Sequence, residues 1–331
     1  MSLDLRGFEK FLREKNLEEP QVDASVCLVE ELALFLTLRN RTCDNASTDD
    51  LHSFSEDLIQ DERNSAENYA TLYRYGLFKE NRTMITVFLE ILDGREMIEN
   101  FYKRLKDEFD QDVADEIFEG IGIPPLGIRP SAKPSYTKAL VERFLTKFDC
   151  GTCKEFFEIG LRGRYTDSYV QPAQLYMKLQ NIDEFLKIRH ENLVERLEKH
   201  VQDGSLFFIQ EITEDVVSYV RSRPTIEGGI RAGNRVIITK IPYMAKQYLQ
   251  ETDEKMKRYW FCHNPWIREA LKEEDRPIDP VFCGCSAGYF KNFWEAILGQ
   301  PVRVEVLKSV INGDDICEFA LHLPSNITEI I

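Results

Sequence analysis

Residues 301–324 read PVRVEVLKSVINGDDICEFALHLP. Val302, Val304 and Val306 alternate with Arg303 and Glu305, and Cys317, Phe319, Leu321 and Leu323 alternate with Glu318 and His322. A period of two marks strands that bury one face. Asn312-Gly313-Asp314-Asp315 between the runs is a turn signal. The stretch predicts an antiparallel hairpin over residues 302–310 and 316–323, with Cys317 on its apolar face.

Upstream, residues 287–298 have a helical pattern that Gly299 stops, and residues 265–273 form a helix with Pro265 in its first turn. Residues 257–262 (KRYWFC) are aromatic and strand-like. Residues 235–241 (RVIITKI) are β-branched and predict a strand entered through Gly233-Asn234. From residue 235 onward the expected order is strand, strand, helix, helix, strand, strand.

The rest is mostly helical. Apolar residues recur at helical spacing over 5–14 and 24–40, and Ser47 and Ser65 sit where N-caps belong. Further helices are expected over 82–92, 96–109, 113–119, 137–148, 172–179, 182–202 and 214–221. Residues 120–134 (GIGIPPLGIRPSAKP) read as a linker or ordered loop. The predicted class is α+β: an N-terminal all-α helical bundle (1–128), a helical middle segment (129–230), and an α/β C-terminal domain with a mainly antiparallel sheet (231–331).

A chain of 331 residues with 43% apolar residues, 21 Phe and 13 Tyr can fill more than one core. The formal net charge of −15 argues against nucleic acid or an anionic membrane as a partner. No apolar run approaches the roughly 18 residues of a membrane span, and residues 1–11 lack the pattern of a signal peptide. Eight cysteines in such a chain are expected as reduced thiols in the cytoplasm, free for metal binding, catalysis or packing. Association of identical copies is compatible with the sequence.

Four of the eight lie in the last third: Cys262, Cys283, Cys285 and Cys317, with His263 next to the first. Cys150-Gly151-Thr152-Cys153 is a C-x-x-C with no β-α-β pattern after it. Thr152 is the expected cap of the helix that follows, which would put Cys153 where a thiol pKa is lowered. His190, Glu191, Glu195 and His200 lack the His-Glu-x-x-His spacing of a metal helix and read as a solvated charged face.

From Cys283 the pattern continues with Gly288-Tyr289, a helix to Gly299, the PVRVEV strand and Gly313-Asp314-Asp315-Ile316-Cys317-Glu318-Phe319. This resembles the 4-vinyl reductase domain, a small-molecule-binding module. The resemblance implies zinc on two cysteines matching Cys283 and Cys317, on a carboxylate and on a third cysteine. Val306 and Ser309 stand at the latter two positions, so Cys285, Cys262 or His263 would have to substitute. Cys262-x-x-Pro265, Phe282-Cys283 and the closing Cys317-x-Phe319 are also similar to the L-2-amino-thiazoline-4-carboxylic acid hydrolase family. Together the two cover about the last 90 residues, and the whole chain looks like uncharacterised bacterial families with this ending. GFEKFLREKNL, TDDLHSFSEDL and NYATLYRYGLFKENRT faintly resemble the SAM-like core-binding domain of phage integrases, without the catalytic Arg/His/Tyr set that would follow.

Three readings compete. In the first, the chain binds a small-molecule ligand and a zinc ion on Cys262, Cys283, Cys285 and Cys317. In the second, it hydrolyses a cyclic amidine or thiazoline carboxylate, with Cys283 as nucleophile, His263 as base and Arg268 holding the carboxylate. A zinc-bound water can replace the thiol there. In the third, the cysteines are core residues of a non-catalytic helical scaffold. Trp260, Trp266, Tyr289 and Trp294 are candidates for the wall of a pocket and equally for core packing.

Overall fold

A computed structural model describes residues 3–163, 166–273 and 277–328, with residues 166, 167, 326 and 328 described by backbone alone. The chain divides into two compact units, one of residues 1–95 and 124–132, the other of residues 96–123 and 133–331. The fold is α+β, as its patterning predicts. No helix among the described residues is long and apolar enough to cross a membrane.

The first unit holds α1 (Leu5–Glu14), α2 (Glu19–Thr37), α3 (Thr48–Gln60), α4 (Ala66–Phe78) and α5 (Arg82–Leu92). Ser47 caps α3, accepting from Asp50 N while Asp50 reaches back to Ser47 N, and Ser65 caps α4. Phe8, Leu32, Leu51, Tyr69, Leu72 and Phe88 fill its core. Residues 124–132 complete this core: Ser55 Oγ donates to Gly127 O at 2.9 Å.

The second unit contains α6 (Met97–Glu108), α7 (Gln111–Phe118), α8 (Lys133–Lys147), α9 (Cys150–Glu158), α10 (Thr166–Leu179), α11 (Ile182–Asp203) and α12 (Glu214–Arg221). After β1 (Ile230–Ala232) and β2 (Arg235–Thr239) come α13 (Ala245–Gln250), α14 (Glu254–Phe261), α15 (Gly284–Leu298), β3 (Arg303–Lys308), β4 (Glu318–His322) and α16 (Ser325–Thr328). The sheet order is β1-β2-β4-β3, with every pair antiparallel. One face packs on α15 and α11 through Val236, Ile238, Phe290, Trp294 and Phe319.

Three local expectations are corrected. Residues 257–262 are the end of α14 and its cap, because Asp253 accepts from Met256 N at 2.8 Å and starts a helix that buries Tyr259 and Phe261. Residues 265–273 form only a short 3-10 helix, Arg268–Lys272. The cap of α9 is Asp149, whose carboxylate accepts from both Gly151 N and Thr152 N. The hairpin is present but wider than expected. A 3-10 turn, Val310–Asn312, follows β3, and Gly313 takes a left-handed φ of 93°.

Candidate ligand site at the cysteine cluster

The four C-terminal cysteines come from four places. Cys262 caps the end of α14, Cys283 ends the 3-10 helix Pro280–Cys283 and caps α15, and Cys285 lies in the first turn of α15. Cys317 immediately precedes β4. Their sulfurs lie within electrostatic reach of one another. Cys283 feels Cys317, Cys285 and Cys262, while Cys262 also acts on Cys285 and Cys317.

Sheet register brings in a fifth residue. Thr239 pairs with Glu318 across β2 and β4. One step beyond, Lys240 and Cys317 face each other, and each feels the other's charge. A pair of glycines brings in a sixth. A side chain on Gly288 of α15 would overlap the backbone of Gly160, which itself has φ +91° just after α9. The two backbones therefore meet directly. Arg162, two residues on, donates from Nη2 to His263 O at 3.3 Å and acts electrostatically on Cys285, Cys262 and Lys240.

Two of the sulfurs have side-chain hydrogen-bond partners. Cys283 Sγ lies 2.9 Å from Ser309 Oγ, and Asn264 Nδ2 donates to Cys285 Sγ at 3.5 Å. Burial is the first cause of every shift, since a thiolate loses its hydration there. It pushes Cys285 up to about 11 and Cys317 up to about 12, holds Cys283 well above its ordinary value, and raises Cys262. Burial lowers Lys240 for the same reason, because its charged form is the one disfavoured. Cys153 is pushed up to about 11 by burial, so the lowered value expected at a helix start does not arise.

His263 Nε2 lies 2.6 Å from Ile241 O, and its ring meets Tyr243 edge-on. Among the described residues, the hydrogen bond of Cys283 runs to Ser309 and to no imidazole. Arg268 is 4% exposed, with its guanidinium 4.2 Å from the centre of the Tyr243 ring, and it acts on Cys262. Trp294 is core, and Trp260 donates to Glu251. Of the four candidate wall aromatics, Tyr289 is the one beside Lys240.

Thiolates are the right donors for zinc. Among the described residues, however, no three His, Cys, Asp or Glu side chains stand as a set that would hold a metal ion. The spacing of the four sulfurs is thus not a closed coordination set, and no chemical step is derived through a metal.

Two features lay outside the sequence reading. Lys240 sits in a β-branched run whose alternation gives no hint of a charged interior. His190 is buried, with Nδ1 3.3 Å from Ile226 O, where a solvated face was expected. His190 also borders a concavity of about 330 Å³ between α11 and β1, whose Asp183 and Arg231 pair with each other at 3.3 Å.

A family model described as a family of unknown function (DUF6144) matches residues 243–328, which include all four of these cysteines. No curated protein and no solved structure matches the chain.

Proposed function

We propose that the second unit is a cytoplasmic small-molecule-binding module whose ligand lies at the cysteine cluster. One observation carries this: Lys240. Its Nζ makes no ion pair or hydrogen bond with any described residue, and it lies within 6 Å of three aromatic rings. Yet the residue keeps partial access to solvent. An unpaired amine in a low-dielectric site is costly unless something compensates it, and a bound molecule would do so. Tyr289 is half-buried beside Lys240, while Ser309 and Asn264 beside the thiols supply polar groups that can orient a ligand.

The test is native mass spectrometry of the full chain purified without added ligand or metal. The expected result is a mass surplus held under native conditions and lost on denaturation. A native mass equal to that of the bare chain, together with no thermal shift across a metabolite panel, would refute the proposal.

A second reading, zinc on Cys262, Cys283, Cys285 and Cys317, rests on the resemblance to the 4-vinyl reductase domain and requires the sulfurs to close up from their present spacing. Binding would release the thiol protons and draw the sulfurs together. Its signature is one zinc per chain, lost in Cys283→Ser. A thiol hydrolase is supported less, because burial keeps Cys283 protonated at neutral pH.

A further inference from the structure

We propose that Lys240 captures a planar aldehyde or ketone as an imine beside the half-buried Tyr289; this deepens the small-molecule reading and rests on it.

Lys240 Nζ stands 5.6 Å from the ring centres of Tyr289 and Phe290 and 5.8 Å from that of Phe319. These distances lie at the weak end of cation–π attraction, so the rings do little to hold a charge on the nitrogen. Phe290 and Phe319 are core, while Tyr289 is half-buried and can offer an apolar edge to a conjugated carbonyl. No described carboxylate pairs with Nζ; after burial, Arg162 acts to keep the amine neutral, while Cys317, Cys285 and the more distant Glu227 act the other way. Desolvation and a neighbouring cation are the two conditions that free a lysine amine for attack. The rival nucleophiles are disarmed, since Cys283, Cys285 and Cys317 all have raised pKa values and stay as thiols at neutral pH.

The step needs no outside oxidant or reductant. The neutral nitrogen's lone pair forms the C–N bond while the carbonyl π pair moves to oxygen. That oxygen takes the proton released by nitrogen, giving a carbinolamine. Loss of its hydroxyl with the remaining N–H proton releases one water and leaves C=N.

The experiment uses the full chain after exhaustive dialysis, benzaldehyde as probe, and sodium cyanoborohydride, which reduces the imine to a stable benzyl amine. Peptide mapping at neutral pH reads the rate at each lysine. Lys240 is expected to be labelled at least about tenfold faster than the surface lysines. Lys240→Arg keeps the positive charge and should lose that adduct alone. Labelling of Lys240 no faster than surface lysines, in wild-type chain shown to be folded by circular dichroism, overturns the proposal without recourse to the variant. A chain that retains a small molecule natively yet leaves Lys240 unlabelled overturns the imine while the binding reading stands.

Discussion

At the scale of the residue, burial decides which cysteines react. Cys27 and Cys150 are exposed, whereas Cys262, Cys283 and Cys285 are buried with raised pKa values. A maleimide pulse on the native chain should label Cys27 and Cys150 within minutes and leave those three untouched until denaturant is added. Native labelling of Cys283 at the rate of Cys27 would contradict the burial. Ser309→Ala removes the partner of the Cys283 thiol and should cost about 1 kcal/mol in denaturant unfolding. The gathering of the four C-terminal cysteines is legible from their density in one stretch. The nearness of Lys240 is not, because it lies 77 positions from Cys317 and only the pairing of β2 with β4 brings the two together.

At the scale of the element, two contacts place the site. The Gly160–Gly288 approach sets α9 against α15, and Gly284 meets Phe157 in the same interface. Gly288→Ala should destabilise the chain by about 1–3 kcal/mol through overpacking and weaken any binding at the cysteine cluster. A thermal melt unchanged from wild type would show that the backbones do not meet. Asp149→Ala removes a cap that accepts two backbone N–H groups and should lower the thermal melting midpoint. Capping chemistry was readable at Ser47 and Ser65, where a hydroxyl precedes acids and a clean apolar stripe. It was missed at Asp253, because the aromatic run that follows has β propensity and drew the reading toward a strand. Burial of Tyr259 and Phe261 on one helical face overrode that propensity. The hairpin was legible because alternation and turn signal agree, while its width depended on the 3-10 turn that Ser309 starts by accepting from Ile311 N.

At the scale of the whole molecule, a net charge of −15 coexists with three basic side chains, Lys240, Arg162 and Arg268, gathered around Cys262. Bulk composition cannot reveal this, because the acids are spread over exposed helix faces and the three basic groups are gathered in one place. The same burial makes stability depend on alkali. A thiol with a raised folded pKa favours the fold below its unfolded value of about 8.5, and that advantage is lost as pH rises through the folded value. Stability should therefore fall from about pH 8.5 toward 12. Lys240, with its pKa lowered, acts in the opposite sense up to about pH 10.4. Cys285→Ala and Cys317→Ala should each flatten the fall, and Lys240→Met should steepen it, as read from urea midpoints across the range. The central claim is that four sulfurs from three segments gather near one lysine to make a ligand site. Sulfur-anomalous diffraction from crystals of the full chain tests it most directly. The account predicts that the Cys262, Cys283, Cys285 and Cys317 peaks form one group beside Lys240, with density for a bound molecule against Tyr289. Peaks for Cys283 and Cys317 on opposite sides of the sheet would contradict it.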